Sequence, residues 1–261
     1  MRIAVARSQR NLVIATLAAA LSLFVEPHTA AQDRGAPPAA ITAKATAPID
    51  LTGYWVAFVT EDWRHRMLTP PKGDYQSLPM NPEARKVADA WDPAADERSG
   101  NECKAYGAAA IMRVPGRVNI TWQDDNTLRV DTDAGMQTRV FHFGPPPATP
   151  GQRTWQGYST AQWERPVPGR GAPPPPMGGS LKVVTTNVRA GYLRKNGVPY
   201  SENAVVTEYF DVAALPDGSP LLLVTTVVED PLYLQMPFIV SSQFKKERDG
   251  SKWDPTPCTA R

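Results

Sequence analysis

The sequence predicts an all-β fold of about eight antiparallel strands with one short helix. Alternation of apolar and polar residues with a period of two, rich in β-branched and aromatic residues, recurs along most of the chain from residue 53. Turn signals such as Asp124-Asp125-Asn126 and Asp217-Gly218 separate neighbouring runs. Because the apolar face of each strand must be buried, such a set of strands forms either a sandwich or a barrel.

The individual elements follow from these patterns in chain order. Strands are expected at residues 53–59, 111–123, 128–131, 137–143, 180–188, 204–212, 220–229 and 238–246. Pro115-Gly116 interrupts the second strand, so we expect that strand to be bent, bulged or split. The helix is expected at residues 82–91, where Asn81 can cap the N-terminus and Asp92-Pro93 ends the helix.

Residues 1–31 have the pattern of a secretory signal peptide. Three arginines precede an apolar run at residues 12–25, and its 14 residues are fewer than the roughly 20 that a membrane-spanning helix needs. Small residues at positions 29–31 provide a cleavage site near Ala31. We therefore expect a periplasmic or secreted protein without a stable membrane span in its mature form. A helix retained as an anchor is the alternative.

Composition divides the remainder of the chain into two parts. Residues 32–48 are rich in Ala and Pro and predict a disordered lead-in. Residues 49–261 predict a single β domain, which is long enough to bury a core. Within it, residues 166–179 form a Pro-rich insert that we interpret as a loop.

The chain has two cysteines, Cys103 and Cys258, and both follow the signal peptide. In an oxidising compartment two cysteines favour one disulfide. Its closed loop of about 150 residues corresponds to a stabilisation of up to about 4–5 kcal/mol in the chain-entropy model. Two unpaired buried thiols are the alternative.

Charge and motif content exclude several function classes. Without residues 1–31 the chain has as many acidic as basic residues and no long basic block, so a nucleic acid is not an expected partner. P-loop, Gly-x-Gly-x-x-Gly and His-Glu-x-x-His motifs are absent, and we expect no cofactor. Only His65 and His142 remain outside the signal peptide, which excludes a three-histidine site, and we expect no metal. The oligomeric state stays open.

The first predicted strand begins with Thr52-Gly53-Tyr54-Trp55. This segment resembles the Gly-x-Trp signature of lipocalins and related calycins. The resemblance implies an eight-stranded antiparallel barrel whose closed end is plugged by Trp55. It also implies a basic residue from a late strand packed over the tryptophan, a role open to Lys245, Lys246 or Arg248.

A second resemblance covers residues 103–258. The matching motifs are Gly157-Tyr158-Ser159, Trp163-Glu164, Leu181-x-Val183-x-Thr185, Gly197-Val198-Pro199-Tyr200-Ser201-Glu202, Thr207-Glu208-Tyr209-Phe210 and Glu229-Asp230-Pro231. They resemble a large family of exported bacterial proteins without an established activity. Two departures are Arg165 in place of a glycine and the Pro-rich insert that splits the motif. The resemblance therefore implies fold and compartment but no reaction.

Residues 60–74, directly after the first strand, concentrate charged and aromatic side chains. In a lipocalin-type barrel such a segment folds over the open mouth. There Arg64 and Arg66 could bind an anionic group while Trp63 offers a stacking face to an aromatic one. His65 is the natural candidate for proton transfer, because histidine titrates near neutral pH. The alternative is a solvated loop held by internal ion pairs.

Two further candidates for acid–base chemistry lie on predicted strands. His142 could point into a barrel and face Glu208 across its cavity, or be a structural or surface residue. Glu208 alternates with apolar neighbours, so its carboxylate needs a partner. Arg139, Arg117 and Arg113 are candidates for that partner, and such a pair can be a structural strut as easily as a site.

Aromatic residues of the middle strands suit either a β core or a pocket for a flat apolar ligand. The predicted ligand-binding residues are Trp63, Arg64, Arg66, Trp122, Arg139, Tyr158, Tyr192 and Tyr200. Three functions then remain. The first is a carrier or sensor of a small hydrophobic or aromatic molecule; the second is a lyase-, isomerase- or hydratase-type enzyme that uses the same cavity. The third is an envelope module that binds proteins through its loops.

Overall fold

The computed structural model describes residues 41–149, 151–165 and 178–261. The predicted signal peptide, residues 32–40 of the predicted lead-in and residues 166–177 of the Pro-rich insert lie outside the described residues. The strands in the described ranges are β1 (Gly53–Ala57), β2 (Arg117–Asp124), β3 (Thr127–Thr132), β4 (Thr138–Phe143), β5 (Tyr158–Glu164), β6 (Ser180–Thr186), β7 (Gly191–Arg194), β8 (Val198–Tyr200), β9 (Val205–Ala214), β10 (Pro220–Glu229) and β11 (Phe238–Lys246).

Nine of these strands form a closed barrel in the order β1-β11-β10-β9-β6-β5-β4-β3-β2, while β7 and β8 form a separate hairpin. The prediction of an all-β fold is therefore confirmed, and so is a barrel rather than a sandwich. The expectation of eight antiparallel strands is wrong in two respects. The prediction missed β5, which lies between Pro-rich segments, and β5 pairs with β4 in parallel. The 14-residue connection at 144–157 is long enough for the crossover that a parallel pair requires.

The interior of the barrel is filled by the alternate side chains of its strands. Inward positions of neighbouring strands face one another in register, as in Trp55 opposite Val118 and Phe210 opposite Leu181. Phe141 packs edge-on against Phe210, with 5.5 Å between the ring centroids. The side chains that meet in this core include Trp55, Val118, Ile120, Val130, Phe141, Leu181, Val183, Phe210, Leu222, Val224 and Phe244. The period-two alternation in the sequence is the direct cause of this packing.

Trp55 is buried within this core. Its indole Nε1 donates to the Leu51 carbonyl at 2.9 Å, which satisfies its only donor. Lys246, opposite Trp55 in the β1–β11 register, places its Nζ 4.3 Å from the Trp55 ring centroid. Among the three basic residues proposed for this position, Lys246 is the one that lies over the tryptophan.

A buried ion pair also lies inside the barrel. Arg139 Nη1 donates to Glu208 Oε1 at 2.9 Å, its Nη2 donates to Oε2 at 2.5 Å, and both side chains are fully shielded from solvent. The Arg139 Nη2 also approaches Thr185 Oγ1 at 3.4 Å, and this hydroxyl is hydrogen-bonded to that of Ser159 at 2.7 Å. Arg139 is thus the predicted partner of Glu208, and the bidentate geometry compensates both buried charges.

Helices and the β7–β8 hairpin cover the end of the barrel at which β1 finishes and β2 begins, here called the covered end. The helices are α1 (Trp63–Met67), α2 (Pro82–Asp89) and α3 (Pro93–Arg98), with 3₁₀ helices at Glu102–Tyr106 and Ile111–Arg113. A second apolar cluster joins this cover to the barrel and includes Met80, Ala84, Ala88, Leu193, Val198, Tyr200, Val206, Val228 and Phe238. The described helices include none that is long and apolar enough to cross a membrane.

The predicted helix is confirmed as α2, with Asn81 Oδ1 accepting from the Ala84 N–H at 2.9 Å. Asp92-Pro93 follows α2 and also begins α3, because Asp92 Oδ1 accepts a hydrogen bond from the Ala94 N–H at 3.0 Å. The second predicted strand, residues 111–123, is wrong in its first part: Ile111–Arg113 is a 3₁₀ helix, and β2 begins only at Arg117, after Pro115-Gly116.

Cys103 and Cys258 form the predicted disulfide, with their Cα atoms 5.1 Å apart. Cys103 lies in the 3₁₀ helix Glu102–Tyr106, and Cys258 lies in the segment that follows β11. The bond therefore ties the C-terminal segment to the covered end of the barrel.

Residues 41–48, which the sequence places in the disordered lead-in, differ from that expectation. The Ala43 N–H donates to Asn126 Oδ1 at 2.8 Å, and the Ala43 carbonyl accepts from Trp163 Nε1 at 2.8 Å. Arg165 Nη2 donates to the Thr46 carbonyl at 2.8 Å. These backbone groups find partners on the barrel, which a compositional argument about Ala and Pro cannot anticipate.

We expect Trp55→Ala to destabilise the protein by about 3–5 kcal/mol, because it removes a large buried side chain and leaves a cavity. Urea denaturation measures this change. Trp63→Ala is the matched control, since Trp63 is 63% exposed, and it should change the free energy of unfolding by less than about 0.5 kcal/mol. Equal midpoints for the two variants would contradict the assignment of Trp55 to the core.

We expect Glu208→Ala to cost about 3–5 kcal/mol, because it leaves the Arg139 guanidinium buried without its counter-charge. The double variant Arg139→Met/Glu208→Leu removes both charges and should be more stable than Glu208→Ala. Glu83→Ala, which breaks the exposed Lys86–Glu83 pair, is the control and should have an effect below about 0.5 kcal/mol. A double variant as unstable as the single one would show that the cost is lost packing and not an uncompensated charge.

Candidate functional site

A cleft of 410 Å³ opens at the covered end of the barrel. Its walls come from α1 and residues 68–69, the two 3₁₀ helices, the end of β7 and the C-terminal segment. Both partners of the disulfide adjoin these walls, since Ala105 and Tyr106 follow Cys103 while Pro257 and Thr259 flank Cys258. The lining includes four cationic side chains and one histidine, and none of the lining residues is Asp or Glu.

Arg66, the fourth residue of α1, contributes one of the buried cations. Its side chain is 1% exposed. Its Nε donates to the Arg113 carbonyl at 3.0 Å and its Nη1 donates to Glu61 Oε1. The Arg66 Nη2 is buried and has no partner among the described residues. Burial lowers the pKa of Arg66 in spite of the neighbouring Glu61 carboxylate.

Asp62 holds a second cation at the start of α1. This residue has φ +49°, an unusual conformation for a non-glycine residue, from which its carbonyl accepts the N–H groups of His65 and Arg66 at 2.8 and 3.0 Å. Its carboxylate accepts from Arg113 Nη2 at 3.1 Å. The Arg113 guanidinium also lies 5.5 Å from the Phe238 ring centroid. Arg113 is therefore both charge-compensated and packed.

Arg194, the last residue of β7, lacks such compensation. Its exposure is only 5%, and its Nη1 donates to the Gln76 carbonyl at 3.1 Å. Its Nη2 is buried without a partner, and the ion pairs of the described residues include none with Arg194. Burial, and next the positive charge of Arg113, lower the pKa of Arg194 to about 10, although the carboxylates of Asp62 and Asp74 act in the opposite direction. The guanidinium still carries its charge at neutral pH.

Lys195 contacts Tyr106 and the C-terminal segment. Its Nζ donates to the Tyr106 hydroxyl at 2.7 Å and approaches Thr259 Oγ1 at 3.3 Å. Burial acts to raise the pKa of Tyr106, but the hydrogen bonds from Lys195 and Thr259, together with the Lys195 charge, lower it overall. Tyr106 and Lys195 thus form a hydrogen-bonded pair that lines the cleft.

His65 also lines the cleft, one residue before Arg66. Its pKa is lowered from 6.5, first by burial and then by the positive charge of Arg194, so the imidazole is neutral at pH 7. The His65 Nδ1 is buried without a partner. An imidazole in this state can accept a proton or a hydrogen bond from a molecule in the cleft.

Two other members of the predicted loop site lie away from the cleft. Trp63 is largely exposed on α1. The equally exposed Arg64 pairs with Asp74, with 2.8 Å between Nη2 and Oδ2. For these two residues the structure matches the alternative of a solvated segment held by internal ion pairs, while Arg66 and His65 point to the cleft.

The proposed pairing of His142 with Glu208 is wrong. His142 alternates with the inward-facing Phe141 and lies on the outer face of the barrel, where its ring stacks on Tyr158 at 4.9 Å between centroids. Glu208 is enclosed on the inner face with Arg139. A shift of one position along a strand places a side chain on the opposite face, and the inward side of β4 belongs to Arg139.

The remaining predicted ligand-binding residues have structural contacts. Trp122 packs against Phe143 and Trp163, with ring centroids 5.6 and 6.4 Å apart. The Tyr192 hydroxyl donates to Asp96 Oδ2 at 2.8 Å, and the Tyr200 side chain is buried in the second apolar cluster. These aromatic side chains therefore match the alternative in which they belong to the β core and not to a ligand pocket.

Sequence reasoning missed Tyr106, Arg194 and Lys195 as site residues, and considered Arg113 only as a partner of Glu208. These four residues come from two 3₁₀ helices and from the β7–β8 hairpin, none of which was predicted. The one available signal was the adjacent pair Arg194-Lys195 after the apolar Leu193, which is ambiguous without the fold.

In the described part of the chain, no group of three or more His, Cys, Asp and Glu side chains is placed to hold a metal ion. No protein-family model, curated protein or solved structure matches this chain. The resemblance to lipocalins and to a family of exported bacterial proteins therefore stays a prediction that rests on the quoted motifs.

Proposed function

We propose that this protein binds a small organic anion in the cleft at the covered end of its barrel. The observation that carries the proposal is the pair of buried guanidinium groups, Arg66 and Arg194, that line one cleft and each keep an Nη2 without a partner. The proposal retains the predicted small-molecule-binding function. It places the ligand at the mouth, because packed side chains occupy the barrel interior.

The energetic argument rests on these unpartnered donors. Leaving a buried polar group unsatisfied costs about 1–3 kcal/mol, and more when the group is charged. Native proteins tolerate few such groups, and a pair of them on one surface calls for a reason. The oxygens of a carboxylate, sulfonate or phosphate are suitable acceptors for these Nη2 groups, and such an anion would give Arg194 the ion pair that it lacks among the described residues.

A second candidate function is acid–base catalysis on the bound anion. It is favoured by the 2.7 Å contact between Lys195 Nζ and the Tyr106 hydroxyl, in the same cleft as a neutral His65. Hydrogen exchange at the carbon next to a bound carboxylate, followed by NMR in deuterium oxide, distinguishes an enzyme from a binding protein. Exchange that depends on Tyr106 would favour the enzyme.

Export to the periplasm or the outside of the cell is part of the proposal. It is supported by the signal-peptide pattern of residues 1–31 and by a disulfide that an oxidising compartment maintains. Mass spectrometry of the mature protein tests it, with cleavage near Ala31 as the expected result.

We expect Arg194→Gln to weaken the binding of benzoate at least tenfold, because it removes a buried charge that has no ion pair, together with its free donor. Isothermal titration calorimetry measures this affinity. Arg64→Gln is the matched control, since it removes the same charge from an exposed arginine that does not line the cleft and pairs with Asp74, and it should change the affinity less than twofold. Equal losses in the two variants would indicate attraction by net charge alone and would contradict a binding site at Arg194.

We expect the affinity for benzenesulfonate, which stays ionised, to rise as the pH falls from 7.5 to 5. Burial lowers the pKa of His65 from 6.5, so the imidazole is neutral at the upper limit and only a fall in pH can give it a positive charge. Added charge in the cleft favours the anion, and binding in turn favours protonation. His65→Gln should remove this dependence in the same calorimetric titration. An unchanged pH dependence in the variant would assign it to another group.

A further inference from the structure

The cleft has an apolar rim next to its cationic floor. Each of its three arginines has a sequence neighbour that lines the same cleft with an apolar side chain: Met67 and Leu68 follow Arg66, Val114 follows Arg113, and Leu193 precedes Arg194. The guanidinium groups are buried, whereas Met67 and Leu68 are 56% and 66% exposed. Charge therefore lies at the bottom of the cleft and hydrocarbon at its edge.

Met67 and Leu68 form the exposed part of this rim, and they are adjacent in the chain. Both line the cleft and each is more than half exposed. Exposed apolar side chains are ordinary when scattered, but a cluster that borders a polar cleft is typical of a ligand-binding site.

From this arrangement we infer that the ligand is an amphipathic anion, with its charged head on Arg66 and Arg194 and its hydrocarbon part against Met67 and Leu68. This inference rests on the proposed anion-binding function and names the class of ligand. The cleft volume of 410 Å³ lies within the range of about 300–1,000 Å³ that is usual for organic ligands, and is far larger than an inorganic ion requires.

The inference concerns a dissolved amphiphile and not a membrane surface. A dissolved molecule reaches the buried Nη2 of Arg194 by inserting its head, whereas a lipid in a bilayer keeps its chain in the membrane. Soluble n-alkyl carboxylates are therefore the appropriate probes, and vesicles that contain phosphatidylglycerol test the membrane alternative.

The experiment titrates the full mature protein with acetate, butanoate, hexanoate and octanoate by calorimetry. We expect the affinity to rise by up to about fourfold for each added methylene that the rim covers. The uncharged 1-octanol should bind at least tenfold more weakly than octanoate, because it cannot neutralise Arg194.

The double variant Met67→Ser/Leu68→Ser should lose the gain with chain length and keep the affinity for acetate. Met236→Ser/Ile239→Ser is the matched control, because these residues are exposed to a similar degree (63% and 62%) and do not line the cleft. The control should retain the full gain. Since all four residues are exposed, the variants are expected to fold, and circular dichroism verifies this.

The outcomes separate the two proposals. Binding of every carboxylate with the same affinity, lost in Arg194→Gln, would overturn the amphipathic ligand and leave anion binding intact. A chain-length gain that survives in Met67→Ser/Leu68→Ser would overturn the assigned rim. Binding to the vesicles without binding to octanoate would overturn the inference in favour of a membrane surface. No binding of any carboxylate would overturn the proposed function itself.

Discussion

Closure of the barrel between β1 and β11 is the constraint on which the other features depend. It brings Lys246 over Trp55 and turns the alternate side chains of nine strands toward one interior. Because those side chains pack against one another and enclose the Arg139–Glu208 pair, the interior is a core and not a ligand chamber. Any recognition of a small molecule is therefore left to the ends of the barrel and to the segments that cover them.

The covered end meets that requirement through segments that are far apart in the chain. Arg66 arrives on α1, Arg113 on a 3₁₀ helix and Arg194 on β7, while the disulfide attaches the C-terminal wall. Apolar contacts of Ile111 and Leu193 anchor the 3₁₀ helix and β7. Polar contacts with Arg113, from Arg66 and Asp62, hold α1. The rigid barrel thus positions a site that no single segment could form.

The local sequence pattern was sufficient to predict most strands of the barrel. It was insufficient to predict the residues of the candidate site. Eight strands and α2 follow from period-two alternation and from the cap at Asn81, because both signals lie within a few residues. The strand β5 was missed because its Pro-rich surroundings suggested a loop, and its parallel pairing depends on a crossover that propensity does not encode. Arg194 could not be chosen over other arginines, since its burial and its lack of a carboxylate partner are properties of the assembled fold.

The arginines of the cleft differ in whether a carboxylate of the chain forms an ion pair with them. Glu61 pairs with Arg66. Asp62 pairs with Arg113, so both of these guanidinium groups have a counter-charge within the chain. Among the described residues Arg194 has no ion pair, and only the more distant carboxylates of Asp62 and Asp74 oppose the burial that lowers its pKa and makes its charge costly. A sequence selected for stability alone would replace such a residue by an apolar one of similar size. The position of Arg194 in the same cleft as Arg66, whose Nη2 also lacks a partner among the described residues, is the reason why we propose an anionic ligand.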